Sequence, residues 1–180
     1  HTRCLSDWSS DVCSSDLTEL YSLYLAINEI KQTTVISYGD LVFKNYILND
    51  LLNDNNDITI IVDADFEENA NYHDYVRTNL PYSKKLFYHS VKLESISPNL
   101  KKSDITGEFI GIFKVNQQGA AIVKKTLTDL AKRTDFKQLR MKDLFNQIVT
   151  SYSVTVKFIK GSWLDINSIV DLQKAGDFNC

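Results

Sequence analysis

Two aspartates stand where a carboxylate can do chemistry. Asp40 closes the stretch "TVISYGD" (34–40), and Asp165 lies within "GSWLDIN" (161–167). Each follows a run with the character of a strand and precedes a segment with helical spacing. In open α/β sheets ligands bind beyond the carboxyl ends of strands, so a lone carboxylate there is better placed for function than one on a helix face. Mg²⁺ is typically held by one or two carboxylates, with substrate phosphates and waters completing its octahedron. Asp40 and Asp165, more than a hundred residues apart in the chain, suit that pattern as a shared metal pair. Helix capping is the competing role: Asp40 for a helix beginning at Leu41, and Asp165, or better Asn167, for a final helix.

Other reactive residues are less well placed. Asp63 and Asp65 form a D-x-D in "DADF" (63–66), which a nucleotide-sugar glycosyltransferase would use to bind metal. Any strand that runs into an acidic loop generates the same pattern, and a place near an acceptor substrate suits Asp63 better. His73 lies in the polar "NYHDYV" and His89 alternates within a strand-like run, neither with a serine or cysteine at a recognised spacing. In "GEFIG" (107–111) two glycines flank Glu108; glycine inside a strand often marks close approach of a ligand or backbone. Glu108 there could pair with a cationic substrate group or be a plain edge-strand glutamate. The Lys and Arg residues of 124–142 spread around helices as a solvated face. No glycine precedes Gly39, so the start of the chain has no glycine-rich loop to cradle phosphates.

The elements that must hold these groups follow from composition and period. The 180 residues are 43% hydrophobic and 24% charged, with a formal net charge of −3, as in a soluble domain with one core. Mild acidity gives no reason to expect nucleic acid, no apolar run is long enough to span a bilayer, and the start has no signal-peptide core. Cys4, Cys13 and Cys180 make no disulfide framework, which fits a reducing cytoplasm.

The first seventeen residues, "HTRCLSDWSSDVCSSDL", repeat Ser-Ser-Asp at 9–11 and 14–16 and show no structural period. The segment resembles a sequencing-library adapter read through in one frame, so residues 1–17 are expected to be non-native and disordered and are kept out of fold reasoning. A chain joined to such a segment would lack the N-terminal part of its domain.

From Thr18 onward the pattern alternates. Thr18 caps a helix over 18–30, with apolar residues at 20, 23, 24, 27 and 30. A buried strand over 33–39, a helix from Leu41 over "LVFKNYILNDLLND", a loop at 53–57 and a buried strand over 58–63 predict a βαβ crossover with parallel strands. An irregular insertion fills 64–85. Strands at 86–96 and 107–115, helices at 119–133 and 141–151, a strand at 154–159 and a helix at 165–175 complete one α/β domain with three layers and a mostly parallel sheet.

Five segments in order, "TELYSLYLA", "SYGDLVFKNYIL", "ITIIVDADF", "GEFIGIFKV" and "GSWLDINSIVDLQKA", resemble the nucleotidyltransferase family that includes phosphocholine and sugar-phosphate nucleotidylyltransferases. Within it the chain is most similar to the 2-aminoethylphosphonate cytidylyltransferase branch, a domain often fused behind phosphoenolpyruvate phosphomutase. The resemblance covers about Thr18 to Phe178 and departs from the family in lacking the upstream glycine-rich loop. It implies a Rossmann-like nucleotide-diphospho-sugar transferase fold, of which 18–180 would be the C-terminal part, truncated at its N-terminal side. It implies Mg²⁺ held by Asp40 and Asp165, CTP and a small phosphonate or phosphate acceptor as substrates, and Ser22 and Tyr38 near them. Asp63, Asp74 and Glu108 would face the acceptor's amine. Without the nucleotide loop, the fragment itself is expected to be nearly inactive. The other readings are a D-x-D glycosyltransferase and a non-catalytic α/β binding domain.

Overall fold

In the computed structural model of the chain, residues 17–66, 74–84, 90–176 and 178 are described. The adapter-like segment apart from Leu17, together with His73, His89, Cys4, Cys13 and Cys180, lies outside the described residues. None of the described helices is long and apolar enough to cross a membrane.

A single six-stranded sheet organises the domain. Its strands are β1 (Thr34–Ser37), β3 (Ile58–Asp63), β4 (Tyr75–Thr78), β5 (Leu93–Ile96), β6 (Gly107–Val115) and β7 (Thr155–Ile159). Two short strands, β2 (Leu41–Phe43) and β8 (Trp163–Asp165), form a separate antiparallel ribbon. The helices are α1 (Glu19–Leu25), α2 (Asn45–Leu52), α3 (Gln117–Leu130), α4 (Met141–Val149) and α5 (Ile169–Gly176).

The sheet order is β5-β4-β6-β3-β7, with β1 also on β6. β3 pairs in parallel with β7, whereas β1, β3 and β4 all run antiparallel to β6, and β5 runs antiparallel to β4. Hence β1, β3, β4 and β7 share one direction, and β6 and β5 oppose it. The mostly parallel sheet is present in that sense, but the expected neighbours β1 and β3 do not touch. β6 lies between them, paired through Val115 with Thr34 on one edge and Ile58 on the other.

The core divides as the strand period of two requires. Ile58, Ile60 and Val62 of β3 and Phe109, Phe113 and Val115 of β6 face α1, α3 and α4; Ile61, Ile110 and Ile112 face Ile47 and Leu51 of α2. This gives helix, sheet and helix-plus-ribbon layers, with β3 and β6 buried along their whole length. Each fully buried Leu, Ile or Phe among these contributes about 1.5–3 kcal/mol relative to an exposed one. Edge-to-face contacts run Phe113–Phe145–Phe109–Tyr38, at centroid distances of 5.1, 5.3 and 6.1 Å. That aromatic line leads from the core to the sheet break described below. On α4, the Asn146 side chain accepts from the Ile96 amide and donates to the Ile96 carbonyl, both at 2.8 Å, and so pins the helix to β5.

Three sequence expectations are corrected. Residues 41–43 are strand rather than helix, so α2 begins at Asn45 with Lys44 at its N-cap position, and Asp40 is no helix cap. The insertion at 64–85 contains β4, whose four residues are too short for a visible period. Asp165, expected to open the last helix, ends strand β8 instead, and at the start of α5 Ser168, and not Asn167, accepts from the Asp171 amide at 3.2 Å.

Candidate functional site

The site begins with a break along one edge of β6. β1 follows that edge as far as Ser37 opposite Ile112, and the Tyr38 amide makes one more bond, to the Gly111 carbonyl at 3.0 Å. β4 takes over at Tyr75 opposite Glu108, just after the Phe109 amide donates to the Asp74 carbonyl at 2.9 Å. Between the two strands the chain turns out of the sheet through Gly39 and Asp40. On the other edge, Ile60 opposes Phe113 but Val62 opposes Phe109, so β6 carries a bulge there, with Gly111 in the left-handed region at φ 88°. Bulges bend a strand and re-aim its neighbours. Gly111 is needed for its φ and because a Cβ there would run into the Tyr38 ring.

A cavity of about 1030 Å³ opens at this break. Ser22, Tyr38, Asp40, Asp74, Glu108 and Asp165, six residues singled out from the sequence, all line it. Glu19, Arg140, Lys142 and Trp163 line it as well, and sequence reasoning missed all four. Glu19 reads as an ordinary first-turn helix residue, yet its carboxylate accepts from the Met141 amide at 3.0 Å and so sits at the start of α4. The legible signal was Arg140 and Lys142 bracketing the first residue of a helix, which the solvated-face reading absorbed.

Asp40 and Asp165 are brought together by the β2–β8 ribbon. Leu41 is the register partner of Asp165, and the Ile166 amide donates to the Asp40 carbonyl at 2.9 Å. Both side chains keep an exposed edge. Partial desolvation, with the negative Asp40 and Asp171 adding, holds the Asp165 carboxyl above the usual range; the Asn167 amide, 2.7 Å from Oδ2, opposes this. A cation between the two carboxylates would relieve the repulsion, so the pair fits a divalent metal. Among the described residues no group of three or more His, Cys, Asp or Glu is arranged for a metal.

Tyr38 lines the same cavity with its ring. Burial, reinforced by the negative Glu19 and Asp74, holds its hydroxyl far above the usual phenol range, with Arg140 opposing and Asp40 adding. The hydroxyl is buried without a hydrogen-bond partner. Asp74 is pushed up by burial and by Glu19, with Lys142 and Arg140 pulling the other way. Ser22 is exposed, its Oγ donating to the Thr18 carbonyl at 3.1 Å.

Asp63 is placed apart. It is 3% exposed, outside the cavity lining, and its carboxylate accepts from the Asp65 amide at 2.8 Å, the Gly161 amide at 3.1 Å and the Trp163 indole Nε1 at 2.6 Å. Asp65 is exposed. A D-x-D metal site thus finds no support in the geometry, because the first carboxylate is occupied by N–H donors and neither residue faces the cavity.

The chain matches no family model, and no curated protein matches it in sequence. Solved structures do share its architecture. The inositol-1-phosphate CTP transferase from T. maritima superimposes with a TM-score of 0.67 at 17% identity, over 91% of this chain and 61% of that one. CTP:phosphocholine cytidylyltransferase from Streptococcus pneumoniae gives 0.60 at 19%, over 91% and 64%. A UTP-bound UGPase from Acinetobacter baumannii gives 0.61 at 12%, over 87% and 54%. The chain has the fold of nucleotidyltransferases. It spans less than two thirds of the length of these neighbours.

Proposed function

We propose that the chain transfers a cytidylyl group from CTP to a phosphonate such as 2-aminoethylphosphonate, with release of pyrophosphate. The observation that carries this reading is the convergence of Asp40 and Asp165 on one ribbon at the wall of the cavity. In the reaction an ionised phosphonate oxygen bonds to the α-phosphorus of CTP while the bond to the bridging oxygen of pyrophosphate breaks. No proton has to move, so no general base is required. Mg²⁺ at Asp40 and Asp165 would neutralise and align the phosphate oxygens, the main resource in phosphoryl-type transfer.

The remaining residues divide the acceptor by charge. Arg140 and Lys142, beside the N-terminus of α4, suit its anionic end. Glu19, Asp74 and Glu108 suit an ammonium group. Phosphocholine is the second reading, favoured by the aromatic wall of Tyr38, Phe109 and Trp163, because quaternary ammonium groups bind against ring faces.

Pyrophosphate release from CTP and Mg²⁺, measured with 2-aminoethylphosphonate, phosphocholine and glucose 1-phosphate in parallel on the chain joined to an upstream glycine-rich nucleotide loop, tests the proposal. Turnover with an amine-bearing acceptor, abolished by Asp40→Asn, supports it. Turnover with the sugar phosphate alone excludes the amine acceptor, and none with any acceptor rejects the transferase reading.

A further inference from the structure

We infer that Asp63 is a positioning residue, which sets Asp165 beside Asp40 by holding the turn that launches β8; this rests on the metal role proposed for that pair. Between β7 and β8 the chain reverses through Gly161 and Ser162, both in the left-handed region at φ 58° and 68°. Ser162 carries a Cβ and adopts that conformation at a cost, so something outside the turn must hold it. The buried Asp63 carboxylate at the end of β3 does so, taking the Gly161 amide with both oxygens and the Trp163 indole with Oδ2. The indole bond, at 2.6 Å, is short, as hydrogen bonds to a carboxylate are.

The consequence reaches the site in two steps. With the turn fixed, the Ser162 carbonyl accepts from the Lys44 amide at 3.0 Å, which closes the ribbon at the Phe43–Trp163 end. The ladder then runs Trp163 with Phe43, Leu164 with Val42 and Asp165 with Leu41. A ribbon of three residues a side has little register strength of its own, and a one-residue slip would turn Asp165 to the opposite face. Asp63 anchors the end of that ribbon to β3, a fully buried inner strand of the sheet. It thus acts on the metal pair from outside the cavity, as partners behind a ligand do in metal sites.

The test uses the full chain labelled with ¹⁵N. Its two tryptophans are Trp8 and Trp163, so Trp163→Phe assigns the indole signals. Asp63→Asn is expected to move the Trp163 indole proton upfield in the metal-free protein. In a Mn²⁺ titration read by broadening of the Leu41 and Ile166 amides, Asp63→Asn is expected to raise the Mn²⁺ midpoint about 10-fold or more, the usual effect of losing an outer partner. Asp65→Asn, in the same loop, is expected to leave it at the wild-type value. Trp163→Phe cuts the same bond from the other end and should give the same shift, which carries the test if Asp63→Asn does not fold. An indole signal indifferent to Asp63→Asn, or a moved indole with an unchanged Mn²⁺ midpoint, overturns the inference alone. Wild-type protein in which neither amide broadens overturns the metal reading and this inference with it.

Discussion

The backbone carbonyl of Asp40 accepts a hydrogen bond from the amide of Ile166, next to Asp165, at 2.9 Å. The main chains that carry the two carboxylates are therefore held side by side. Preorganisation of this kind places charge before substrate arrives, which is where electrostatic catalysis gains most.

Asp40→Asn and Asp165→Asn should each cut pyrophosphate release by at least about 10²-fold, the scale of removing one electrostatic partner of the transition state. Both side chains are exposed, so the thermal midpoint should barely move. Asp65→Asn should leave activity and Mn²⁺ binding intact. Parallel turnover assays and thermal melts check all three; a metal-dead Asp65 variant would restore the D-x-D reading.

Asp74 supplies a test of acceptor recognition. Its raised carboxyl must ionise to attract an ammonium group, so affinity for an amine-bearing acceptor should strengthen as pH rises through that raised value. Asp74→Asn should flatten the profile and raise KM for the amine acceptor, leaving KM for CTP alone. Initial rates across pH with both substrates varied would show it.

Gly111→Ala should destabilise the domain by about 1–2 kcal/mol from left-handed backbone strain alone, with further loss from the displaced Tyr38 ring. Because that ring forms part of the cavity wall, acceptor KM should rise in whatever fraction still folds. Urea denaturation and kinetics on one preparation separate the two effects.

Far from the site, Asp54 gives a prediction for pH and stability. Burial opposes its charge, but hydrogen bonds from Thr59 and Asn56, with Lys157 nearby, outweigh that and hold its carboxyl below the usual range. A depressed folded value means the stabilisation is complete above the unfolded value, about 3.9, and is lost as pH falls through the folded one. Asp54→Asn should cost about 1 kcal/mol at neutral pH, and the gap from wild type should close in acid. Denaturant midpoints of the two proteins between neutral pH and strong acid measure that gap.

What the sequence disclosed depends on how local each signal is. β3 and β6 are rich in β-branched and aromatic residues, and their bounds in the structure are those read from the residues. α3 and α4 also follow from their spacing. The β2–β8 ribbon does not. "LVF" continues into "KNYIL" with helical spacing, and nothing near Leu41 announces a partner more than a hundred residues away. The insertion of β6 between β1 and β3 was hidden for the same reason, since a crossover reports direction but not adjacency. Strand-end position singled out Asp40 and Asp165, whose main chains adjoin in the structure. It treated Asp63 in the same way, and only the N–H donors around that carboxylate show why it differs.

The long loop closed by β2 and β8 also sets an order of events during synthesis. The half of the ribbon that carries Asp40 leaves the ribosome early, and its partner strand emerges only after the sheet's last strand, β7. Until then Asp40 lacks the partner proposed for it, and pairing so distant in sequence is slow to form. The cation binding proposed for this pair should thus appear late in the newborn chain, after α1 to α4 and strands β3, β6 and β7 have become protected from exchange.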